Sequence, residues 1–337
     1  MPDPAPAPVP QPAAPAAPAR RPFLSFTCRF WGVLAAVLAV IGTFTVVGWF
    51  NACWWPLELV NSLRQAYVLV GLALALAFAL GRKWRHVAVA GAIAAVNLAM
   101  IAAVCWGPCP PPPGPGPQWR VLLCNVHTNN RNSRGVLDYI KRERPDFVLL
   151  EELNARWGAE LAELRELYPC HVEELEEDNF GIGFYSRHPA EKMAIIHPGV
   201  VQVASTLARF RLAGRAFWLV GTHPLPPSGG RQYWDLRNDQ LARVGELLAT
   251  LDGPGLLVGD LNATPWSHHF RALLAVGGLR DSRRGIGLQP SWPTFCPWFA
   301  IPIDHVLVRP PVRVLARRVG PDLGSDHYPL VVDFALE

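Results

Sequence analysis

Charged side chains are scarce in this 337-residue chain, at 17% against 50% hydrophobic. That balance is too apolar for one soluble globule and too polar for a chain made only of membrane spans, so it implies two regions. Acidic residues are nearly missing from the first 117 positions, which hold two against seven Lys and Arg, whereas residues 118–337 carry 25 against 24. The net charge of +4 therefore belongs to the N-terminal region. The C-terminal region lacks the basic face expected of a nucleic-acid binder. Seven cysteines fall at uneven spacings, which supports no disulfide scaffold. Cys105 and Cys109 form a candidate pair in an oxidising compartment. Cys124 and Cys296 read as core positions, and no internal repeat is evident.

Long apolar runs are what the N-terminal region has instead. Phe30 to Phe50 is uncharged over 21 residues, enough to cross roughly 30 Å of hydrocarbon at about 1.5 Å per residue. Ala66 to Leu80 is shorter and spans only if Arg64 and Arg82 snorkel outward. Val87 to Trp106 is again long, with Asn97 its one strongly polar member. A cleaved signal peptide fits badly, because apolar segments continue well past the first. The alternative, a buried hairpin in a soluble fold, is disfavoured because these segments are apolar on every face.

Charge sets an orientation. Arg20, Arg21 and Arg29 precede the first run, and Arg82, Lys83 and Arg85 separate the second from the third. Both groups belong on the cytoplasmic side. The loop from Asn51 to Gln65, with Trp54 and Trp55, then lies outside, and so does everything after Trp106. The expected layout is a disordered Pro/Ala-rich cytoplasmic tail (1–29), a three-helix membrane anchor (30–106), a stiff Pro-rich linker (107–117) and a catalytic domain (118–337). The tail is either passive or a docking ligand.

In the last region, short apolar runs alternate with helical spacing. Strands are expected at Val121–Val126, Phe147–Leu153, Ile182–Ser186, Leu207–Leu212, Ala216–Thr222, Gly255–Val258, Ile303–Val308 and Pro329–Phe334. Helices are expected from Ser133 to Arg144, with Ser133 as cap, and from Trp234 to Thr250. Many strands with few helices suggest two packed sheets flanked by helices.

Buried strands seldom finish in carboxylates, because burying an unpaired charge is costly. Here Asn125 ends the first strand, Glu152 the second, and His223 follows Thr222. Asp260 and Asn262 follow another strand, Asp304 opens one, and Asp326-His327 precede the last. Each alone has a dull explanation: Gly259-Asp260-Leu261-Asn262 as a turn, Ser325-Asp326-His327 as a cap. Together they form an oxygen-rich set suited to a hard ion such as Mg²⁺, with imidazoles for proton transfer.

Taken in order, Asn125, Pro145-Asp146 through Glu151-Glu152, Gly181 through Arg187, Thr222-His223, Arg237 with Gln240, Gly259-Asp260-Leu261-Asn262, Ile303-Asp304-His305 and Gly324-Ser325-Asp326-His327 resemble the endonuclease/exonuclease/phosphatase superfamily. That group includes DNase I, inositol-polyphosphate 5-phosphatases and neutral sphingomyelinases. The resemblance implies a four-layer α/β/β/α sandwich, here preceded by three transmembrane helices. It implies that Glu152 is the main metal carboxylate, with Asn125 and Asp326 completing the Mg²⁺ (or Mn²⁺) and phosphate environment. It further implies that Asp260 handles the attacking water, Asn262 bonds a phosphate oxygen, Asp304 orients His327, and His223 donates to the phosphate or leaving group. Glu151 stands where the family often has Gln, and His127 where some nucleases carry Asp. His305 should point away from Asp304's face, and the His268-His269 pair should be exposed just inside a helix start. The acidic run from Glu173 to Asp178 reads as a solvated loop. Arg237 and Gln240, one turn apart, either tie down a nearby loop or touch substrate.

Three spans followed by this domain resemble the VanJ-type membrane-anchored proteins, which implies a lipid-linked phosphodiester or pyrophosphate as substrate, on the extracytoplasmic side of the cell membrane. The alternatives are an extracytoplasmic nuclease and a catalytically silent scaffold. Nucleic acid is the less favoured partner, and no protein partner is expected.

Overall fold

The computed structural model describes residues 1, 29–110, 112, 114 and 116–337. The Pro/Ala-rich tail lies outside the described residues except for Met1 and Arg29, as do positions 111, 113 and 115 of the linker.

Among the described residues, four helices make the N-terminal unit: α1 (Phe30–Val47, continued by a 3-10 turn to Phe50), α2 (Trp55–Ser62), α3 (Arg64–Leu80) and α4 (Trp84–Cys105). Phe30–Phe50 and Trp84–Cys105 are each long and apolar enough to cross a membrane, and α3 makes a third if counted with α2, from which it bends by 58°. The short α2 sits in what the sequence suggested was a plain loop. Arg64 does not snorkel. It is fully buried, donating to Asn97 Oδ1 at 2.8 Å and to Asn61 Oδ1. Asn97 in turn donates to Thr45 Oγ1 at 2.9 Å. A guanidinium withdrawn from water needs such acceptors, and Asn97, the odd polar residue of its run, supplies one. Arg82 is exposed, as expected, in the turn between α3 and α4.

The remainder is a four-layer sandwich. Its strands are β1 (Gln118–Asn125), β2 (Phe147–Glu151), β3 (Cys170–Glu174), β4 (Ile182–Ser186), β5 (Ala190–Ile196), β6 (Ser205–Leu212), β7 (Arg215–Thr222), β8 (Gly255–Asp260), β9 (Arg280–Asp281), β10 (Asp304–Arg309), β11 (Val312–Val319) and β12 (Leu330–Leu336). They form two six-stranded sheets, β11-β12-β1-β2-β4-β3 and β5-β6-β7-β8-β10-β9. Between the sheets lie Val121, Leu123, Phe147, Leu149, Leu219, Leu256, Val258 and Val306. Alternate residues of the same strands face outward. Leu122, Val148 and Leu150 pack under α5 (Ser133–Glu143), α6 (Ala155–Glu160) and α7 (Glu163–Leu167). Val220, Leu257 and Leu307 pack under α8 (Arg231–Ala249) and α9 (His268–Gly277). Burial on both faces is why the central strands are apolar runs without alternation.

Several local expectations need correction. Asn132, not Ser133, caps α5, its side chain accepting from Gly135 N at 3.1 Å. Glu173 and Glu174 belong to β3, and Glu173 holds Arg165 at 2.6 Å, so the acidic run is only partly a loop. Cys105 and Cys109 are free thiols, and Cys296 is half-buried in a loop instead of lying in a core.

Candidate active site

The site lies where the central strands of both sheets end. β1 and β2 run parallel with Asn125 beside Glu151, and β7 and β8 are also parallel. Antiparallel pairing of β8 with β10 sets Asp260 directly opposite Asp304. The sheets meet at Glu151, whose two carboxylate oxygens accept from the backbone N–H of Asp260, both at 3.1 Å. Gly259 allows this approach, since a Cβ there would stand 2.0 Å from the Thr222 carbonyl oxygen. Three non-glycine residues at the rim, His127, Glu152 and Asn262, have positive φ (58°, 64° and 48°). Such conformations persist only where surrounding structure enforces them.

One row of titratable groups crosses the floor. Asp304 Oδ2 is 3.0 Å from His327 Nδ1. Asp260 Oδ2 stands 3.6 Å from Nε2 of both His327 and His223, and Asp260 Oδ1 accepts from Asn262 N at 2.8 Å. Burial alone would lower both imidazoles. The carboxylates outweigh it, Asp304 and Asp260 holding His327 up to about 10 and Asp260 with Glu151 holding His223 up to about 9. Burial pushes Glu151 up to about 8, against the pull of His223 and with Asp260 and Asp304 adding to the rise.

A second group adjoins it. Glu152 Oε1 accepts from Asn125 Nδ2 at 3.0 Å, and Glu152 Oε2 from Thr128 N at 3.1 Å. Asp326 Oδ2 accepts from Trp292 Nε1 at 2.9 Å, whereas its buried Oδ1 has no hydrogen-bond partner among the described residues and faces His127 Nδ1. His127 Nδ1 sits between the two carboxylates, 3.6 Å from Glu152 and 3.3 Å from Asp326. The sequence-predicted residues Asn125, Glu152, His223, Asp260, Asn262, Asp304, Asp326 and His327 thus converge at one end of the two sheets. His305 faces away, bonded to the Ala263 carbonyl at 2.8 Å. Of the histidine pair, His268 is exposed but His269 is half-buried against Trp234. Arg237 and Gln240 are both fully buried and bind protein groups, the Asn262 carbonyl at 2.7 Å and Thr222 Oγ1 at 3.1 Å respectively.

Around these groups opens a cavity of about 700 Å³, within the size range of small-molecule sites. Sequence reasoning missed much of its wall. Asp178, Asn179 and Phe180 come from one loop, Tyr233 from α8, Trp292 from another loop, and Glu58, Leu59, Ser62 and Leu63 from α2 and its end. The sign for the last group was in plain view, because Glu58 is one of only two acids among the first 117 residues.

The model of the Endonuclease/Exonuclease/phosphatase family matches residues 118–327. The chain belongs to that family. Among solved structures, the endonuclease/exonuclease/phosphatase from Beutenbergia cavernae is 22% identical, with a TM-score of 0.52 over 65% of this chain and 72% of that one. The 3′ phosphatase NExo from Neisseria, bound to product DNA hairpin, is 19% identical, with a TM-score of 0.56 over 64% and 99%. TDP2 of D. rerio, complexed with single-strand DNA product, is 21% identical, with a TM-score of 0.54 over 65% and 100%. At such identities these likenesses speak for the fold. No curated protein matches the chain significantly. Members of the family hydrolyse phosphoester bonds and generally depend on a divalent metal.

Two donor groups compete for such an ion. Among the described residues, ligand atoms of Asp260, Asp304 and His327 lie within 4.8 Å of one another. In that trio Asp304 Oδ2 is tied to His327 Nδ1 at 3.0 Å, Asp304 Oδ1 is buried without a hydrogen-bond partner, and one of the three donors is an imidazole nitrogen. Asn125, Glu152 and Asp326 offer three oxygen donors, Asp326 Oδ1 having no hydrogen-bond partner and only the His127 imidazole nearby at 3.3 Å. The second group fits a hard cation better.

Proposed function

We propose that this chain is a membrane-anchored, metal-dependent phosphoesterase acting on a lipid-linked phosphodiester or pyrophosphate on the extracytoplasmic side. The observation that carries the lipid assignment is the shared cavity. Its floor is Glu152, Asp260, Asp326 and His327, while Leu59 and Leu63 of the anchor form part of its wall. Phe295, Trp298 and Phe299 are exposed on a loop whose 3-10 turn packs against α3, and exposed aromatics beside a membrane helix suit the bilayer interface. A headgroup would sit on the polar floor with its chain directed along the apolar wall.

Asn125, Glu152 and Asp326 would hold Mg²⁺ or Mn²⁺, which when bound supplies positive charge to the phosphate oxygens. Asp260 Oδ2 takes a proton from the attacking water, its other oxygen being fixed by Asn262 N. His327, held protonated by Asp304, and His223 donate to oxygens on which negative charge develops. Asn262 Nδ2 already donates to the Pro224 carbonyl at 3.0 Å and has a second hydrogen for a phosphate oxygen.

Basic residues support the orientation. Arg29, Arg82, Lys83 and Arg85 lie at the helix ends remote from the sandwich, whereas Gly285 N bonds the Cys105 carbonyl at 2.8 Å at the near end. The full chain in lipid nanodiscs, offered polyprenyl pyrophosphate, sphingomyelin and plasmid DNA with Mg²⁺, distinguishes the readings. Phosphate or phosphocholine release from a lipid supports this one. Cleavage of DNA alone, falling steeply with salt, replaces it with the nuclease. Silence on all three favours a scaffold.

A further inference from the structure

The anchor does more than touch the sandwich; it grips one segment of it. Glu58 Oε2 on α2 accepts from Arg237 at 2.7 Å and from Trp234 Nε1 at 2.5 Å, and the ion pair is sealed, with side-chain exposures of 0% and 2%. The other arm of Arg237 donates to the Asn262 carbonyl at 2.7 Å. Beyond Asn262 the contacts continue. Ser62 Oγ meets Thr264 Oγ1 at 3.3 Å, Asn61 donates to the Trp266 carbonyl at 2.9 Å, and Trp266 Nε1 donates to the Met100 carbonyl at 3.1 Å. Asn51 Oδ1 then accepts from His268 N at 2.7 Å. Residues 262–268 follow Asp260 after Leu261 alone and begin with Asn262 in its left-handed conformation.

We propose that Glu58 is a positioning residue of the active site, acting through Arg237 on the Asn262 backbone, so that the centre is complete only when the anchor is docked. A buried guanidinium without its carboxylate is strongly destabilised. Arg237, left with Asn238 Oδ1 (3.0 Å from Nε and 2.6 Å from Nη2) as its one side-chain acceptor, would shift, releasing the carbonyl that keeps Asn262 at φ 48°. Asn262 serves the reaction by aiming one amide hydrogen, and small misplacements of such groups cost rate more than binding. This rests on the phosphoesterase role given to Asn262 above, and not on the lipid nature of the substrate.

The test uses the full chain in phosphatidylglycerol nanodiscs with bis(p-nitrophenyl) phosphate, a water-soluble diester that needs no membrane delivery, and Mg²⁺. Glu58→Gln should lower kcat by about 10- to 100-fold with KM changed by less than about threefold, and Glu58→Asp should recover part of the loss. Replacing both charges, Glu58→Met with Arg237→Met, should restore the unfolding midpoint yet leave kcat low, because the Asn262 carbonyl stays unheld. Recovery of kcat together with stability in that double variant would reduce Glu58 to charge burial and overturn the proposal. So would a wild-type kcat in Glu58→Gln. If the parent protein cleaves the diester but no lipid, the lipid reading falls while these comparisons still decide the role of Glu58. If it cleaves neither, hydrogen exchange decides. Faster exchange confined to residues 259–268 in Glu58→Gln supports the proposal, and unchanged exchange there refutes it.

Discussion

Individual side chains carry the chemistry here, and their couplings make separable predictions. Asp260 stands 3.6 Å from two imidazole nitrogens. His327→Ala or Asp260→Ala should therefore lower kcat by about 10²–10⁴-fold with circular dichroism unchanged; retention of rate would remove them from the mechanism. Both histidines are held above their ordinary 6.5, at about 9 and about 10. Stability from their protonation is thus complete below pH 6.5 and is lost as pH rises through 9 to 10. In buffer containing a chelator the unfolding midpoint should fall across that window, and Asp304→Asn should flatten the fall. Glu151 follows the same trend: raised from 4.5 to about 8, it contributes fully below pH 4.5 and loses its contribution as pH rises through about 8. Glu151→Gln keeps an acceptor for Asp260 N and removes a buried charge. Above pH 8 it should leave stability within about 1 kcal/mol of the parent or raise it, as denaturant titration at pH 7 and 9 would reveal.

At the scale of elements, the limits of legibility follow from burial. The eight strands expected from the sequence, β1, β2, β4, β6, β7, β8, β10 and β12, are the inner strands of the two sheets. The four that escaped, β3, β5, β9 and β11, are the four edges. Edge strands carry charges to discourage further pairing, as in Ala190–Ile196 and Val312–Val319, so they look like loops or polar segments. The same logic made the site visible, because carboxylates ending apolar runs contradict burial unless they have work to do. It hid α2, since an eight-residue helix between two hydrophobic runs has no signature longer than the runs beside it. Arg64 misled for a related reason: its acceptor Asn97 lies 33 positions away. The β8 terminus offers an element-level test. Gly259→Ala would drive a Cβ to 2.0 Å from the Thr222 carbonyl oxygen. It should cost about 2–4 kcal/mol and displace Asp260, lowering thermal midpoint and activity together. A fully active, equally stable Gly259→Ala would mean that the β7–β8 junction is looser than described.

For the molecule as a whole, the sandwich rests on one end of the helical bundle, and Arg29, Arg82, Lys83 and Arg85 occupy the other. A single cysteine at Arg85 should be labelled by an impermeant maleimide only after the membrane is opened, while the exposed Cys53 should be labelled in intact cells; the reverse pattern would invert the topology. The proposed chemistry depends most on Asn125, Glu152 and Asp326 holding an ion beside the Asp260–His327 pair. The direct measurement is phosphate release by the full chain in lipid nanodiscs containing polyprenyl pyrophosphate as Mg²⁺ is titrated. Saturable activity, abolished by chelation, should shift to at least about tenfold higher Mg²⁺ in Glu152→Gln, while His327→Ala lowers the plateau without moving the midpoint. Hydrolysis indifferent to chelation, or untouched by both substitutions, would contradict it.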